Sequence, residues 1–142
     1  MIAAELTEAQ RNRILRALDS VPFAKLVGIE LETVTPGVAV MSFEIREELM
    51  QNNRVVHGGA IASLIDSAMA IAIIPLLAEN ESTTTVDLTI NYLRPLRIGR
   101  ATATARVLRA GRRVIALSAE VTDDAKDLAA TALSTYLRLS AR

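Results

Sequence analysis

The 142-residue sequence contains no cysteine and only one histidine, His57. Disulfide bonds, thiolate chemistry and cysteine-ligated metals are therefore excluded, and one chain cannot build a metal site from several histidines. Aromatic residues are scarce as well, with two Phe, two Tyr and no Trp, too few for the stacking surfaces that hold single-stranded nucleic acid. We expect no metal site and no bound cofactor.

The chain also lacks an excess of either charge, because 16 basic and 16 acidic residues cancel to a formal net charge of zero. No long-range field therefore favours binding to nucleic acid or to an anionic membrane. Residues 1–8 are acidic and lack the basic region and the apolar run of a signal peptide. We expect a single domain that spans residues 1–142 and lies in the cytoplasm.

The dominant feature that is present is an apolar segment at residues 60–77, whose only polar residues are Ser63, Asp66 and Ser67. Their spacing places them on one narrow stripe of a helix. A helix that is apolar on nearly all sides is buried. The segment approaches membrane-spanning length, but an ionised Asp66 at mid-bilayer would cost at least ~2.5 kcal/mol. The sequence therefore predicts a buried central helix that carries one carboxylate.

The rest of the chain predicts a sheet around this helix. Thr7 and Gln10 form a capping box for an N-terminal helix that ends near residues 19–20. Residues 85–92 alternate strictly, which predicts a strand with Thr85 on its polar face, opposite the face of Leu88. Residues 46–56 predict a connection without a regular element. Strands are expected at residues 29–34, 38–45, 83–93, 101–107, 114–121 and 128–139. This order predicts an α+β fold with a mainly antiparallel sheet that curves over the central helix.

Three motifs stand out together: His-Gly-Gly at residues 57–59, Asp66 nine residues after the histidine, and the strand sequence VDLTINYLRP at residues 86–95. In these motifs the chain resembles the hotdog-fold thioesterases, in particular the PaaI-like acyl-CoA thioesterases. The resemblance implies a hotdog fold and hydrolysis of acyl-CoA thioesters, with coenzyme A as part of the substrate. It also implies a homodimer or homotetramer with active sites at the subunit interface.

The same resemblance implies roles for individual residues. Asp66 would act as general base or nucleophile, the Gly58 N–H would polarise the thioester carbonyl, and Thr85 would help to place water. The family commonly has Asn six residues before the histidine, where this chain has Gln51, and the longer side chain could supply the same amide. Two neighbours are alternatives for that amide, Asn52 and Asn53.

The residues themselves leave other interpretations open. The N–H groups of Gly58 and Gly59 at a helix start could bind an oxyanion, or the glycines could only permit a sharp turn. His57 could donate to the carbonyl or anchor the loop. The Asp66 carboxylate could instead be bonded to the neighbouring serines. Arg54 stands where the family commonly has glycine, three residues before the histidine, and removes a glycine's freedom in the loop.

Coenzyme A carries phosphates, so a protein that binds it is expected to have arginines near the mouth of its pocket. Two arginine clusters are candidates, one within residues 94–100 and one within residues 109–113. We expect substrate contacts from Arg94 in the first cluster and from Arg112 and Arg113 in the second. Gly59 and Asn53 are also expected to contact the substrate. Solvated loop charges are the alternative. We expect the acyl tunnel to depend on Phe43, Met69, Ile73, Leu76 and Leu77. Two other functions on the same fold stay open, a non-catalytic acyl-thioester binder and an enoyl-thioester hydratase or dehydratase.

Overall fold

The computed structural model describes residues 5–141. Residues 1–4 and 142 lie outside the described residues, and with them half of the segment on which the expectation of no signal peptide rests. The described residues form three α-helices, α1 (Glu8–Asp19), α2 (Pro22–Val27) and α3 (Gly58–Ile73). They also form six strands, β1 (Glu30–Thr35), β2 (Val38–Glu44), β3 (Glu81–Tyr92), β4 (Arg100–Ala110), β5 (Val114–Thr122) and β6 (Leu128–Ser140).

The six strands form one antiparallel sheet in the order β1-β2-β4-β5-β6-β3. Helix α3 packs on one face of this sheet, mainly against β2 and β4. Small side chains on β4 permit this close approach, because Ala101, Ala103 and Ala105 are fully buried. The predicted α+β fold, a long helix wrapped by an antiparallel sheet, is confirmed.

Helix α3 is the core element that its composition predicts. Eight of its residues are buried. Among residues 5–141, the stretch Gly58–Leu76 alone has the length and mean hydropathy (1.9) of a membrane span, and half of that stretch is buried inside this fold. Since that burial is against the sheet and the other helices, α3 is the core helix and indicates no membrane.

The N-terminal helix begins as predicted. The Thr7 hydroxyl accepts from the Gln10 N–H, and the Gln10 side chain accepts from the Thr7 N–H, which completes the capping box. Helix α2 ends at Gly28, whose φ of 83° is the left-handed conformation that glycine adopts without strain. The expectation that residues 46–56 contain no regular element is corrected by a 3-10 helical turn at Glu47–Leu49.

Strand β3 departs from strict alternation at one point. Its pairing register with β6 shifts between Thr85 and Asp87, which makes Val86 the extra residue of a β-bulge. Thr85 pairs with Tyr136, whose side chain is buried against α3, and so Thr85 also faces the helix. Leu88 packs on the core beyond the bulge. The prediction that Thr85 and Leu88 lie on opposite faces is therefore wrong, because an inserted residue resets the period of two.

Candidate active site

The Asp66 carboxylate is held by hydroxyl groups from two neighbouring strands. Thr85 Oγ1 on β3 donates to Asp66 Oδ1 at 2.9 Å, and the Tyr136 hydroxyl on β6 donates to the same oxygen. The alternative partners Ser63 and Ser67 make no bond to this carboxylate among residues 5–141, and Ser63 donates to a backbone carbonyl one turn earlier at 2.8 Å. The carboxylate is therefore oriented by the sheet and not by its own helix.

The second carboxylate oxygen of Asp66 is available for chemistry. Oδ2 has no hydrogen-bond partner within the described part of the chain, yet no described side-chain oxygen is both buried and unpaired. Oδ2 therefore reaches the protein surface. Asp66 lines a cavity of about 220 Å³ between α3, the two N-terminal helices and β2, and apolar residues form most of its wall: Leu18, Val21, Met41, Ala70, Ile71 and Ile74.

Three of the five side chains expected to shape an acyl tunnel lie in the core of the single chain. Phe43, Met69 and Ile73 are completely inaccessible to solvent within a single chain. They fill the core between α3 and the sheet within one chain, and none of them lines the cavity beside Asp66. The cavity next to Asp66 is instead bordered by residues of α1 and of the α1–α2 connection, which the apolar pattern of α3 alone could not indicate.

Among residues 5–141, one backbone N–H at the N-terminus of α3 has no acceptor. His57 is the N-cap, and its Nδ1 accepts from the Gly59 N–H at 2.8 Å. This bond anchors the helix start and occupies the Gly59 donor. The Gly58 N–H meets no acceptor among the described residues. Of the two glycines considered for carbonyl binding, only Gly58 therefore presents a free N–H, and its neighbourhood carries the positive end of the helix dipole.

Tyr92, at the end of β3, packs directly on Gly58. Its hydroxyl donates to the Gly58 carbonyl at 2.8 Å. A Cβ at position 58 would lie 3.1 Å from the Tyr92 ring, so a larger residue would require this half-exposed ring to shift by a few tenths of an ångström. Gly58, Tyr92 and Arg94 together line a cavity of about 270 Å³. Sequence reasoning missed Tyr92 and Tyr136 as site residues.

The loop before His57 explains one departure from the family pattern. Arg54 has a φ of 58°, so it adopts the left-handed conformation usually taken by glycine. The loop thus keeps a glycine-like backbone without the glycine. Gln51 Oε1 accepts from the Asn53 N–H at 2.7 Å, which fixes that side chain on its own loop and leaves its amide nitrogen as the donor.

The predicted arginines lie at two separate ends of the sheet. Arg94 shares a cavity with Gly58 and forms an ion pair with Asp127 at 2.9 Å. Arg112 and Arg113 line another cavity, of about 390 Å³, at the β4–β5 hairpin. That hairpin is level with the start of β3 on the far side of β6, whereas Arg94 follows the end of β3. About nine strand residues, or roughly 30 Å, separate the two ends, and one chain does not bring these arginines together.

A similar distance argument applies to Gly58 and Asp66. Gly58 and Asp66 are eight residues apart on α3, which corresponds to about 12 Å along the helix. An N–H that polarises a carbonyl and the group that attacks its carbon must both lie within roughly 3 Å of that carbonyl. Within one chain, Asp66 therefore cannot directly attack a carbonyl that the Gly58 N–H holds.

The chain combines an antiparallel sheet wrapped around a helix with an N–H at the helix start that has no acceptor among residues 5–141 and an oriented carboxylate eight residues later. Residues 53–130 match the thioesterase superfamily. This match covers more than half of the chain, and the protein belongs to that superfamily. The predicted class of enzyme, a thioesterase of the hotdog fold, is confirmed.

Individual relatives support the same assignment. The chain is 31% identical over 131 residues to the medium/long-chain acyl-CoA thioesterase YigI of Salmonella typhimurium, covering 82% of this chain and 84% of YigI. The conserved protein PA5202 of Pseudomonas aeruginosa superposes with a TM-score of 0.78 at 31% identity, covering 87% of this chain and 98% of PA5202. PaaI of the E. coli phenylacetic acid degradation operon superposes with a TM-score of 0.87 at 23% identity, covering 96% and 98%, and shows the shared fold.

Proposed function

We propose that this thioesterase hydrolyses acyl-CoA thioesters, with Asp66 as the reacting carboxylate and the Gly58 N–H as the donor to the thioester carbonyl. The carrying observation is the Asp66 carboxylate, which is fixed through one oxygen and accessible through the other beside an apolar cavity. The name of YigI, an acyl-CoA thioesterase, supports the choice of thioester.

Two routes fit this geometry. As a general base, Asp66 accepts a proton from water while the water oxygen attacks the carbonyl carbon. The C–S bond then breaks, and the proton passes to the leaving thiolate of coenzyme A. As a nucleophile, Asp66 attacks the carbon itself, expels the thiolate and forms a mixed anhydride that water opens. In both routes negative charge develops on the carbonyl oxygen, where an N–H donor lowers the barrier.

The site is completed by a second copy of the chain. Strand β3 is an edge strand, and Val86 and Tyr92 in it and Leu93 just after it are exposed. An unpaired edge is a template for another strand. Thr85 is level with Asp66, and Tyr92 is level with Gly58. Antiparallel pairing of two β3 strands about a two-fold axis near Thr89 therefore brings Gly58 of one copy beside Asp66 of the other. We propose a homodimer as the smallest active unit, alone or within a tetramer.

The acyl group would occupy the apolar cavity beside Asp66. Its volume of about 220 Å³ exceeds the roughly 150 Å³ of an apolar protein cavity that binds benzene. Aryl groups and aliphatic chains of moderate length therefore fit. The dimer would also bring Arg112 and Arg113 of one copy toward Arg94 of the other, so that both arginine clusters could contact the phosphates of one coenzyme A. The cytoplasm is the expected location.

Release of free thiol from a panel of aryl, short, medium and long acyl-CoAs tests this function. We expect Asp66→Asn to lower kcat by about 10²–10⁴-fold, the usual contribution of a positioned acid or base. Asp87→Asn is the matched control, because the Asp87 carboxylate accepts a strand N–H at 2.8 Å and lies on the opposite face of β3. Unchanged turnover in Asp66→Asn would refute the proposed role, and tight binding without thiol release by the unaltered protein would identify a non-catalytic binder.

A further inference from the structure

Tyr136 connects β6 to the Asp66 carboxylate through its hydroxyl group. Its side chain is 2% exposed, so its hydroxyl needs a partner inside the protein. The partners come from one residue of α3, namely the Oδ1 of Asp66 and the Asp66 backbone oxygen, the latter at 3.0 Å. Tyr136 thus contacts both the side chain and the backbone of Asp66.

The β-bulge in β3 places a second hydroxyl group, that of Thr85, next to Tyr136. Because Val86 is inserted, Thr85 turns toward α3 and becomes the cross-strand neighbour of Tyr136. Both hydroxyl groups then donate to Asp66 Oδ1. Two donors on one oxygen fix the carboxylate plane and leave Oδ2 as the oxygen without a partner among residues 5–141.

The phenol is held in its donating form. Burial, followed by the bond to the Asp66 carboxylate, raises the pKa of Tyr136 far above its ordinary value. The Asp66 carboxylate is the charged group that acts on this phenol. Tyr136 therefore stays protonated throughout the pH range in which a thioesterase works, and it donates to a carboxylate that has to be charged in order to react.

We propose that Tyr136 is a positioning residue for catalysis, which ties up Oδ1 of Asp66 and so selects Oδ2 as the oxygen that attacks or takes the proton. This inference rests on the proposed function, since it assigns a task to the carboxylate named there. Tyr136 acts through Asp66 and touches no substrate.

Tyr136→Phe removes the hydroxyl and keeps the ring that fills the core. We expect kcat to fall by about 10- to 100-fold, the usual penalty for a misplaced reacting group, with KM nearly unchanged. The acidic limb of the kcat/KM profile should move to higher pH, because the charged carboxylate loses a donor.

Ser134→Ala is the matched control. Ser134 lies two residues away on β6, is 5% exposed, and donates to the Asp87 carbonyl of β3 at 2.6 Å. This variant also loses a buried hydroxyl bond between the two strands, but it leaves Asp66 untouched. We expect its kcat and its pH profile to match those of the unaltered protein.

The outcomes distinguish the proposed function from the positioning role of Tyr136. If the unaltered protein releases no thiol from any acyl-CoA, the proposed function fails. If it does, and Tyr136→Phe keeps the same kcat and the same acidic limb, the positioning role is overturned. Should Tyr136→Phe not fold, 3-fluorotyrosine at position 136 keeps the ring and donates more strongly. The acidic limb should then move to lower pH, and an unmoved limb would overturn the inference.

Discussion

The two functional groups of α3 are held by different parts of the fold. At the start of the helix, Gly58 offers a backbone N–H, and its surroundings are set by His57 next to it and by Tyr92 at the end of β3. Two turns later, Asp66 offers a side chain whose orientation is set by hydroxyl groups of β3 and β6. One group depends on local backbone geometry, and the other depends on long-range packing.

This difference shows how the fold distributes the parts of the site. A backbone donor needs only a glycine, a cap and the helix itself, so a short segment specifies it. The rotamer of the Asp66 carboxylate is instead fixed by two partners that are distant in sequence, Thr85 and Tyr136. Since about 12 Å separate the two groups along α3, we propose that the two halves of one site come from different copies of the chain.

The largest effect is expected from mixing two inactive variants. Asp66→Asn damages the carboxylate half, and Gly58→Pro removes the N–H of the donor half. After the subunits exchange, half of the dimers are hybrids in which one of the two sites carries neither change. We therefore expect activity to rise from background to about one quarter of the unaltered level, measured as thiol release.

The control for this experiment mixes Asp66→Asn with Asp66→Ala. Every site in that mixture keeps a damaged carboxylate, so activity should stay at background. Recovery confined to the first mixture would separate the two halves onto different subunits. Absence of recovery, with subunit exchange verified by mass spectrometry, would place both halves in one chain and contradict the shared site.

A second comparison isolates the Gly58 donor. Gly58→Ala and Gly58→Pro both add a Cβ that meets the Tyr92 ring, 3.1 Å away, but only proline removes the N–H. Proline is tolerated at the first position of a helix, which is where Gly58 lies. We expect kcat of Gly58→Pro to be about 10²–10³-fold below that of Gly58→Ala, the usual effect of one oxyanion donor. Equal rates would assign glycine only to the close approach of Tyr92.

The same division decides what the sequence could predict. The buried helix and the capping box of Thr7 and Gln10 follow from local patterns, and the sequence predicts them correctly. The pattern at the start of α3 indicates N–H donors at both Gly58 and Gly59, and it does not show that His57 occupies the second of them. The face of β3 on which Thr85 lies is predicted wrongly, because one extra residue at Val86 resets the strand period. The role of Tyr136 was also missed, since it contacts Asp66 across 70 residues, and no local motif marks such a pair.

The smallest effect concerns His57, which tests whether the start of α3 is independent of the carboxylate half. His57→Ala removes the acceptor for the Gly59 N–H, so we expect the free energy of unfolding to fall by about 1 kcal/mol, the usual value of an N-cap. His57→Asn keeps a capping oxygen and should stay within a few tenths of a kcal/mol of the unaltered protein. Chemical denaturation measures the free energy of unfolding of both variants. The protein concentrations are kept equal, because any self-association adds to stability. A loss of turnover in His57→Asn at undiminished stability would instead place the imidazole on the substrate, and the donor half would then need a side chain as well as its backbone.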